Sequence, residues 1–452
     1  MIALDLKTAA DAMQGRMQGE DRRFIGVSTD SRHCQAGNLF VALSGEHFDA
    51  HNFIAAAQAR GAVAATVSRE VAADIPLLQV DDTRLALGRL AAHWRQQFAV
   101  PLVAVTGSNG KTTVKEMLAA VFGQQAPVLA TRGNLNNDIG VPLTLFGLGR
   151  EHQAAVIEMG ANHAGEIAYL MQLARPSVSV LNNAGAAHLE GFGSLEGVAR
   201  AKGEIIRHLQ PQATAVINAD DRFAAEWQAM VPEGCELLRF GLQQSADVSA
   251  RFAASEFATR LQLNTPLGNA ECRLALPGEH NVMNALAATA AAIAAGVALP
   301  QIVEGLASLQ GVAGRLQRRQ RKDGLVVIDD SYNANPGSTR SAIDVLAAQS
   351  GIRCLVLGDM GELGSGAADL HAGIGRYARE KKIDALFTLG ELAAHASEAF
   401  GQNAEAYADA ERLIARLSGF VEPGMTVLVK GSRLMHMERV ADALLAAAEA
   451  VH

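Results

Sequence analysis

The sequence predicts an α/β protein of three domains, a small N-terminal α/β module followed by two parallel-sheet domains. Three observations carry that expectation. The chain has 452 residues, and at roughly 150 residues per domain, with one core rarely serving more than about 250–300, it divides into about three. From residue 102 onward, short fully apolar runs alternate with helical periods, the βαβ signature of a parallel sheet. A glycine-rich loop stands between the first of those runs and the helix that follows it.

Taken in order, Leu39–Leu43 follows the turn Gly37-Asn38 and has the pattern of a buried strand. Phe53–Ala59 reads as a helix stopped by Gly61, and Ala62–Val67 as a second strand. Thr83–Phe98 is helical by the spacing of Leu85, Leu87, Leu90, Ala91 and Trp94, ending at Val100-Pro101. Leu102–Val105, Ala154–Ile157, Val178–Leu181 and Ala215–Ile217 read as strands of one sheet. Ala285–Leu299 reads as a buried, alanine-rich helix, too short to span a bilayer. Arg315, Arg318, Arg319, Arg321 and Lys322 form a basic connector, after which Leu325–Ile328, Cys354–Leu357, Ala385–Leu389 and Thr426–Val429 read as a second parallel sheet. The expected divisions are 1–82, 83–313 and 314–452.

Composition narrows the function. Hydrophobic residues make up 49% and charged residues 19%, which excludes a mainly disordered chain. The 43 glycines follow no Gly-X-Y period, so the chain is not collagen-like. A net charge of −8 argues against a non-specific nucleic-acid binder, while leaving room for a local basic pocket. Cys34, Cys235, Cys272 and Cys354 are far apart with no C-x-x-C, so they read as reduced, buried thiols. Asp5 and Asp11 stand where a signal peptide would have its apolar run. The expectation is a cytoplasmic monomer acting on small molecules, with no nucleic-acid partner and no membrane insertion.

The sharpest motif is Thr106-Gly107-Ser108-Asn109-Gly110-Lys111-Thr112-Thr113, between the Leu102–Val105 strand and the Val114–Phe122 helix. Glycines let backbone N–H groups face phosphate oxygens, and the helix N-terminus adds partial positive charge. Lys111 would offset β/γ-phosphate charge and the Thr112 hydroxyl would ligate Mg²⁺. The loop is G-x-x-G-K-T-T, with Val105 six before Lys111 where the standard P-loop has glycine. The bland reading, a glycine-rich turn with a surface lysine, does not fit the strand–loop–helix context. ATP is therefore the expected ligand.

Polar groups downstream fall at other strand ends. Glu158, just after Ala154–Ile157, is placed to hold Mg²⁺, although a helix-capping acid has the same sequence signature. His188, in the polar loop after Val178–Leu181, is a metal ligand or a structural histidine. Lys202 looks by residue type like a surface helix lysine. Asn281 and Asn284 share one face near a helix start, where amides read a base edge or cap the helix. Arg315, at the second domain division, is an arginine that reaches a γ-phosphate on closure or a linker residue. Asp330, in Asp329-Asp-Ser-Tyr-Asn-Ala-Asn335, is placed for ribose hydroxyls, the alternative being an Asx-rich turn.

Together with Ser28-Thr-Asp-Ser-Arg32, Phe48-Asp-Ala-His51, Gly133-Asn-Leu-Asn-Asn-Asp-Ile-Gly140, Gly358-Asp-Met-Gly-Glu-Leu-Gly364 and Val429-Lys-Gly-Ser-Arg433, these segments resemble the Mur ligase family over essentially the whole chain. The resemblance implies a UDP-substrate domain, an ATP domain and a C-terminal Rossmann-like domain. It implies ATP, two Mg²⁺ ions and ligation through an acyl phosphate. It makes Gly107, Ser108, Asn109, Gly110, Lys111, Thr112 and Thr113 the phosphate loop. Thr112 and Glu158 become ligands of the first metal, and His188 with a carbamylated Lys202 ligands of the second. Asn281 falls at the adenine, Asp330 at the ribose, Arg315 at the γ-phosphate, and Ser31, Arg32 and Asn137 at the UDP-linked substrate. Lys111, His188, Lys202 and Arg315 form the implied catalytic set.

Gly358–Gly364 is similar to the branch that adds D-alanyl-D-alanine to a UDP-N-acetylmuramoyl tripeptide. The D-N-P-[RA] signature of the branch that adds the third residue is absent. Arg433-Leu-Met-His-Met departs from the small-residue run expected after K-G-S-R. Competing readings are another ligase of the superfamily, third-residue-adding or folylpolyglutamate synthase-like, and an ATP-switched binding protein.

Overall fold

The computed structural model describes residues 1–187, 189–255 and 258–446. Three α/β units follow one another along the chain, each built on its own sheet. The N-terminal sheet has five strands in the order Arg16–Gln18, Leu77–Gln79, Ala64–Val67, Leu39–Val41, Val27–Ser28, parallel except for the first. Gly61 has φ +98°, a left-handed turn after the helix Ile54–Ala59 that suits a residue without Cβ.

The central sheet has six parallel strands in the order Val128–Ala130, Ala154–Glu158, Leu102–Thr106, Val178–Leu181, Thr214–Asn218, Glu236–Phe240. Leu102–Thr106 is flanked by Ala154–Glu158 on one side and Val178–Leu181 on the other. The chain winds first to one side of it and then to the other, so its C-terminal end lies at the switch point where open α/β sheets open a crevice. That end carries the phosphate loop.

A three-stranded antiparallel sheet, Ser249–Ala254, Thr259–Thr265 and Gly268–Leu274, follows. Its strand Thr259–Thr265 alternates buried and exposed residues, and Leu261, Leu263, Cys272 and Leu274 join the core under the alanine-rich helix. That helix is Glu279–Ala294, and Gly296 (φ +83°) ends the run expected to reach Leu299, where a second helix, Leu299–Ser308, begins. The run is two elements because the left-handed turn at Gly296 breaks the helical dihedrals.

In the C-terminal sheet, Val326–Asp330, Thr426–Lys430, Arg353–Gly358, Ala385–Leu389 and Ala404–Tyr407 lie parallel in that order. The basic connector is partly a strand: Gln317–Gln320 pairs antiparallel with Val326–Asp330 at the sheet edge, with Arg318 opposite Ile328. Charged side chains on an edge strand keep it from pairing further. Cys34, Cys272 and Cys354 are buried free thiols, and Cys235 is half-buried.

Candidate active site

A cleft of about 570 Å³ lies between the central and C-terminal units, lined by the phosphate loop, the ends of neighbouring strands and the loop after Val326–Asp330. The phosphate-loop helix, Lys111–Phe122, starts at Gly110 with no side-chain cap, leaving its first N–H groups free for an anion. Gly110 has φ +79°, and a Cβ there would collide with the Asn284 and Asn182 amides. The loop is held from the neighbouring strand end. Ser108 N–H donates to Asn183 O (3.0 Å), Asn109 N–H to Asn183 Oδ1 (2.8 Å), and Ser108 Oγ to Gly185 O (3.1 Å).

Lys111 Nζ donates to the Gly107 carbonyl at 2.7 Å, and burial lowers its pKa although Glu158 pulls the other way. Thr112 Oγ1 donates to Glu158 Oε2 at 2.7 Å, and Asn136 Nδ2 donates to Glu158 Oε1 at 2.8 Å. Glu158 is 3% exposed. A buried hydroxyl beside a buried carboxylate is an all-oxygen donor pair, the chemistry Mg²⁺ takes while keeping several waters. Among the described residues no group of three or more His, Cys, Asp or Glu is gathered for a metal.

Lys202 corrects the reading from residue type. It is 1% exposed, lines the cleft, and stands 5.9 Å from the Phe192 ring. Burial, with Lys111 nearby, brings its pKa down to about 7. The signal was present in the sequence. Lys202 sits on the same helical face as Val198, Ile205 and Ile206, all fully buried.

Arg315 reaches the phosphate loop across the cleft, its Nη2 donating to Thr112 Oγ1 at 2.8 Å while its guanidinium lies 4.3 Å over the Tyr332 ring. Leu316, next to it, takes φ +49°, unusual for a bulky side chain, and its N–H donates to Asp330 Oδ1 at 3.1 Å. Asp330 Oδ2 meets Lys430 Nζ at 2.5 Å. Both carboxylate oxygens therefore have protein partners. Asn281 and Asn284 do not cap their helix N–H groups: Asn281 Nδ2 donates to Pro277 O (2.8 Å) and Asn284 Nδ2 to Asn281 Oδ1 (3.3 Å).

Asn137 lines the cleft, its Oδ1 accepting from Gly140 N (2.8 Å) and its amide NH₂ with no further bond among those described. His188 lies outside the described residues. Ser31 and Arg32 are not in the cleft but on the N-terminal unit, where Asp30 accepts from Arg32 Nη2 at 2.8 Å. Asn182, Asn183 and Tyr332 fall in strand-end loops that the sequence marks as polar or ligand-binding, but it gives none of them an individual role.

A glycine-rich loop at a helix N-terminus, the amines of Lys111 and Lys202, the Arg315 guanidinium and the Glu158 carboxylate line one cleft, a set suited to binding a polyphosphate. The chain belongs to the Mur ligase family. Its residues 105–292 match the Mur ligase middle domain, 314–433 the Mur ligase glutamate ligase domain, and 23–95 the Mur ligase family catalytic domain. It is 46% identical to the UDP-N-acetylmuramoyl-tripeptide–D-alanyl-D-alanine ligase of Escherichia coli K12, over 98% of this chain and 99% of that protein. A crystal structure of MurF from Acinetobacter baumannii superposes with a TM-score of 0.94 at 42% identity, covering 98% of this chain and 99% of that one. MurF of Thermotoga maritima in complex with ADP superposes at 0.85 with 30% identity, covering 94% and 98%.

Proposed function

We propose that this chain is an ATP-dependent ligase that joins D-alanyl-D-alanine to the terminal carboxyl of a UDP-N-acetylmuramoyl tripeptide. The products are the UDP-linked pentapeptide of peptidoglycan synthesis, ADP and phosphate. The observation that carries the reading is the cleft itself, where Lys111, Lys202, Arg315 and the Thr112–Glu158 pair converge in a chain whose whole length is similar to such ligases.

A carboxylate does not condense with an amine at neutral pH because oxide is a poor leaving group. Transfer of the γ-phosphoryl group to the substrate carboxylate makes an acyl phosphate, and attack by the dipeptide amine then releases phosphate. Two anions must meet in the first step. Lys111 and Arg315 would offset their repulsion, and the loop N–H groups would fix the phosphates in line. No protein nucleophile is needed. Mg²⁺, when bound, would supply charge neutralisation and polarise the transferred phosphoryl group. Thr112 and Glu158 would hold one ion, and His188 with Lys202 the second. The neutral Lys202 amine is the form that would take up CO₂, releasing one proton to solvent, and the carbamate so formed would place an anionic ligand there. Asn281 would face the adenine, Asp330 the ribose, and Ser31, Arg32 and Asn137 the UDP-linked substrate.

We place the divisions between domains at 82/83 and 313/314. Asp82 Oδ1 caps the helix Thr83–Arg95, and Gly314 has φ +66° just before Arg315. No helix among the described residues is long and apolar enough to cross a membrane. We expect a cytoplasmic monomer, where ATP is available.

The test is phosphate release with ATP, Mg²⁺ and UDP-MurNAc-tripeptide, with and without D-alanyl-D-alanine. Release that requires the dipeptide, with a pentapeptide product by mass, is the expected outcome. Release that requires instead a UDP-linked dipeptide and a diamino acid would assign the third-residue-adding reaction. Dipeptide-independent hydrolysis would favour a switch.

A further inference from the structure

A run of side-chain amides crosses the cleft floor. Asn284 Nδ2 donates to Asn281 Oδ1 (3.3 Å), Asn182 Nδ2 to Asn284 Oδ1 (2.9 Å) and to the carbonyl of Asn109 (2.9 Å), and Asn335 Nδ2 to Asn109 Oδ1 (2.7 Å). The last bond joins residues 226 positions apart, from the C-terminal unit to the phosphate loop. Asn335 is fixed before it reaches across. Its Oδ1 caps the helix Pro336–Ala347 by accepting from Ser338 N (2.9 Å), and Ser338 Oγ in turn accepts from Asn335 N (3.1 Å). The Asn109 backbone is fixed as well, its N–H and C=O both taken by the amides of Asn182 and Asn183. A short bond from a capped amide to a side chain on a fixed backbone loses less side-chain entropy on forming than one between two free side chains. It also sets the distance between the loop that carries Thr112 and the unit that carries the Tyr332 shelf under Arg315.

We propose that Asn335 is a positioning residue that clasps the C-terminal unit to the phosphate loop through Asn109, so that Arg315 meets the loop in register. The proposal rests on the ligase reading for its rate effect, but its contact can be read without turnover. Asn335→Ser keeps an oxygen for the helix cap and is too short to reach Asn109. Asn109→Ala removes the acceptor.

In the dipeptide-dependent assay, Asn335→Ser is expected to lower kcat about tenfold, the factor carried by one ordinary hydrogen bond. ADP affinity should change less than twofold, and the unliganded melting temperature should hold. The double variant should be no slower than the slower single. Losses that multiply in the double variant, an ADP affinity that falls with kcat, or an unchanged kcat would each overturn the proposal. Small-angle scattering of the ADP-bound chain supplies the second readout. Asn335→Ser should have a larger radius of gyration than the parent, and equal radii would overturn the clasp even if the parent proved to catalyse another ligation.

Discussion

At the scale of single residues, the site is built from charges that the fold makes costly to keep. Lys202 is the clearest case. Its amine titrates near 7 instead of the ordinary 10.5 because it is buried. Between those values the unfolded chain holds a proton that the folded chain lacks, so stability rises with pH across that window. At and below pH 7 the burial cost is carried in full, on the order of a few kcal/mol. Lys202→Met keeps the length and removes the charge. It should raise the melting temperature by several degrees at pH 7, and the gain should shrink toward pH 10. Turnover should fall at least about 100-fold, which calorimetry beside the ligation assay would check.

Arg315 gives the complementary case, since it spans the cleft to Thr112 and stacks on Tyr332. Arg315→Ala should lower kcat at least about 100-fold with ADP affinity within about threefold. Arg315→Lys should recover little, because an ammonium has neither the planar face nor the fork. Unchanged turnover in Arg315→Ala would remove it from the chemistry. The sequence marked both residues, by motif position and resemblance. The burial of Lys202 was legible from its helix period and outweighed by its residue type.

At the scale of elements, close approach explains what propensity does not. The helix Leu299–Ser308 packs on the phosphate-loop helix Lys111–Phe122 through Gly305, where a Cβ would fall inside the contact distance of Val121 Cα. Gly305→Ala gains about 1 kcal/mol of helix propensity. The clash with backbone costs about 1–3 kcal/mol, and backbone yields less readily than a side chain. The net should be destabilising, read as a lower denaturation midpoint with unchanged slope, and a raised midpoint would mean that the two helices slide apart freely.

The inner parallel strands of the two large sheets were legible as apolar runs because both faces are covered, whereas the edge strands Val128–Ala130, Glu236–Phe240 and Ala404–Tyr407, less fully buried, were not read. The antiparallel sheet at 249–274 was not read, although Thr259–Thr265 alternates strictly, because its polar face makes each run look like loop. The edge strand Gln317–Gln320 was hidden by its charges. The bond from Asn335 to Asn109 has no sequence signal, since only the closed arrangement of two units brings them together.

At the scale of the whole molecule, the three sheets do not make three equal cores. One apolar cluster runs from Ile2, Leu6 and Phe24 of the N-terminal unit through Leu87, Leu90 and Trp94 to Val141, Leu145 and Ile157 under the central sheet. Ile2 N–H donates to Phe146 O at 2.7 Å across that junction, and Trp94 Nε1 donates to Leu148 O at 3.0 Å, tying the bridging helix Thr83–Arg95 to the rest of the central unit. The C-terminal unit keeps its own clusters, drawn from residues 316–428 and 325–444. It meets the rest across a polar cleft. Cooperative unfolding follows shared apolar burial more than chain order. Calorimetry of the unliganded protein should therefore give two transitions, one for residues 1–313 and one for the remainder. Separately made 314–452 should melt near its transition in the intact chain, whereas 1–82 alone should fail to fold, because its side of the shared cluster would face water. ADP contacts both sides of the cleft in the reading proposed above, so saturating ADP should raise both transitions and draw them together. Three separate transitions would mean that the shared cluster does not couple the first two units, and a single transition without ligand would mean that amide and guanidinium contacts across the cleft suffice to couple the third.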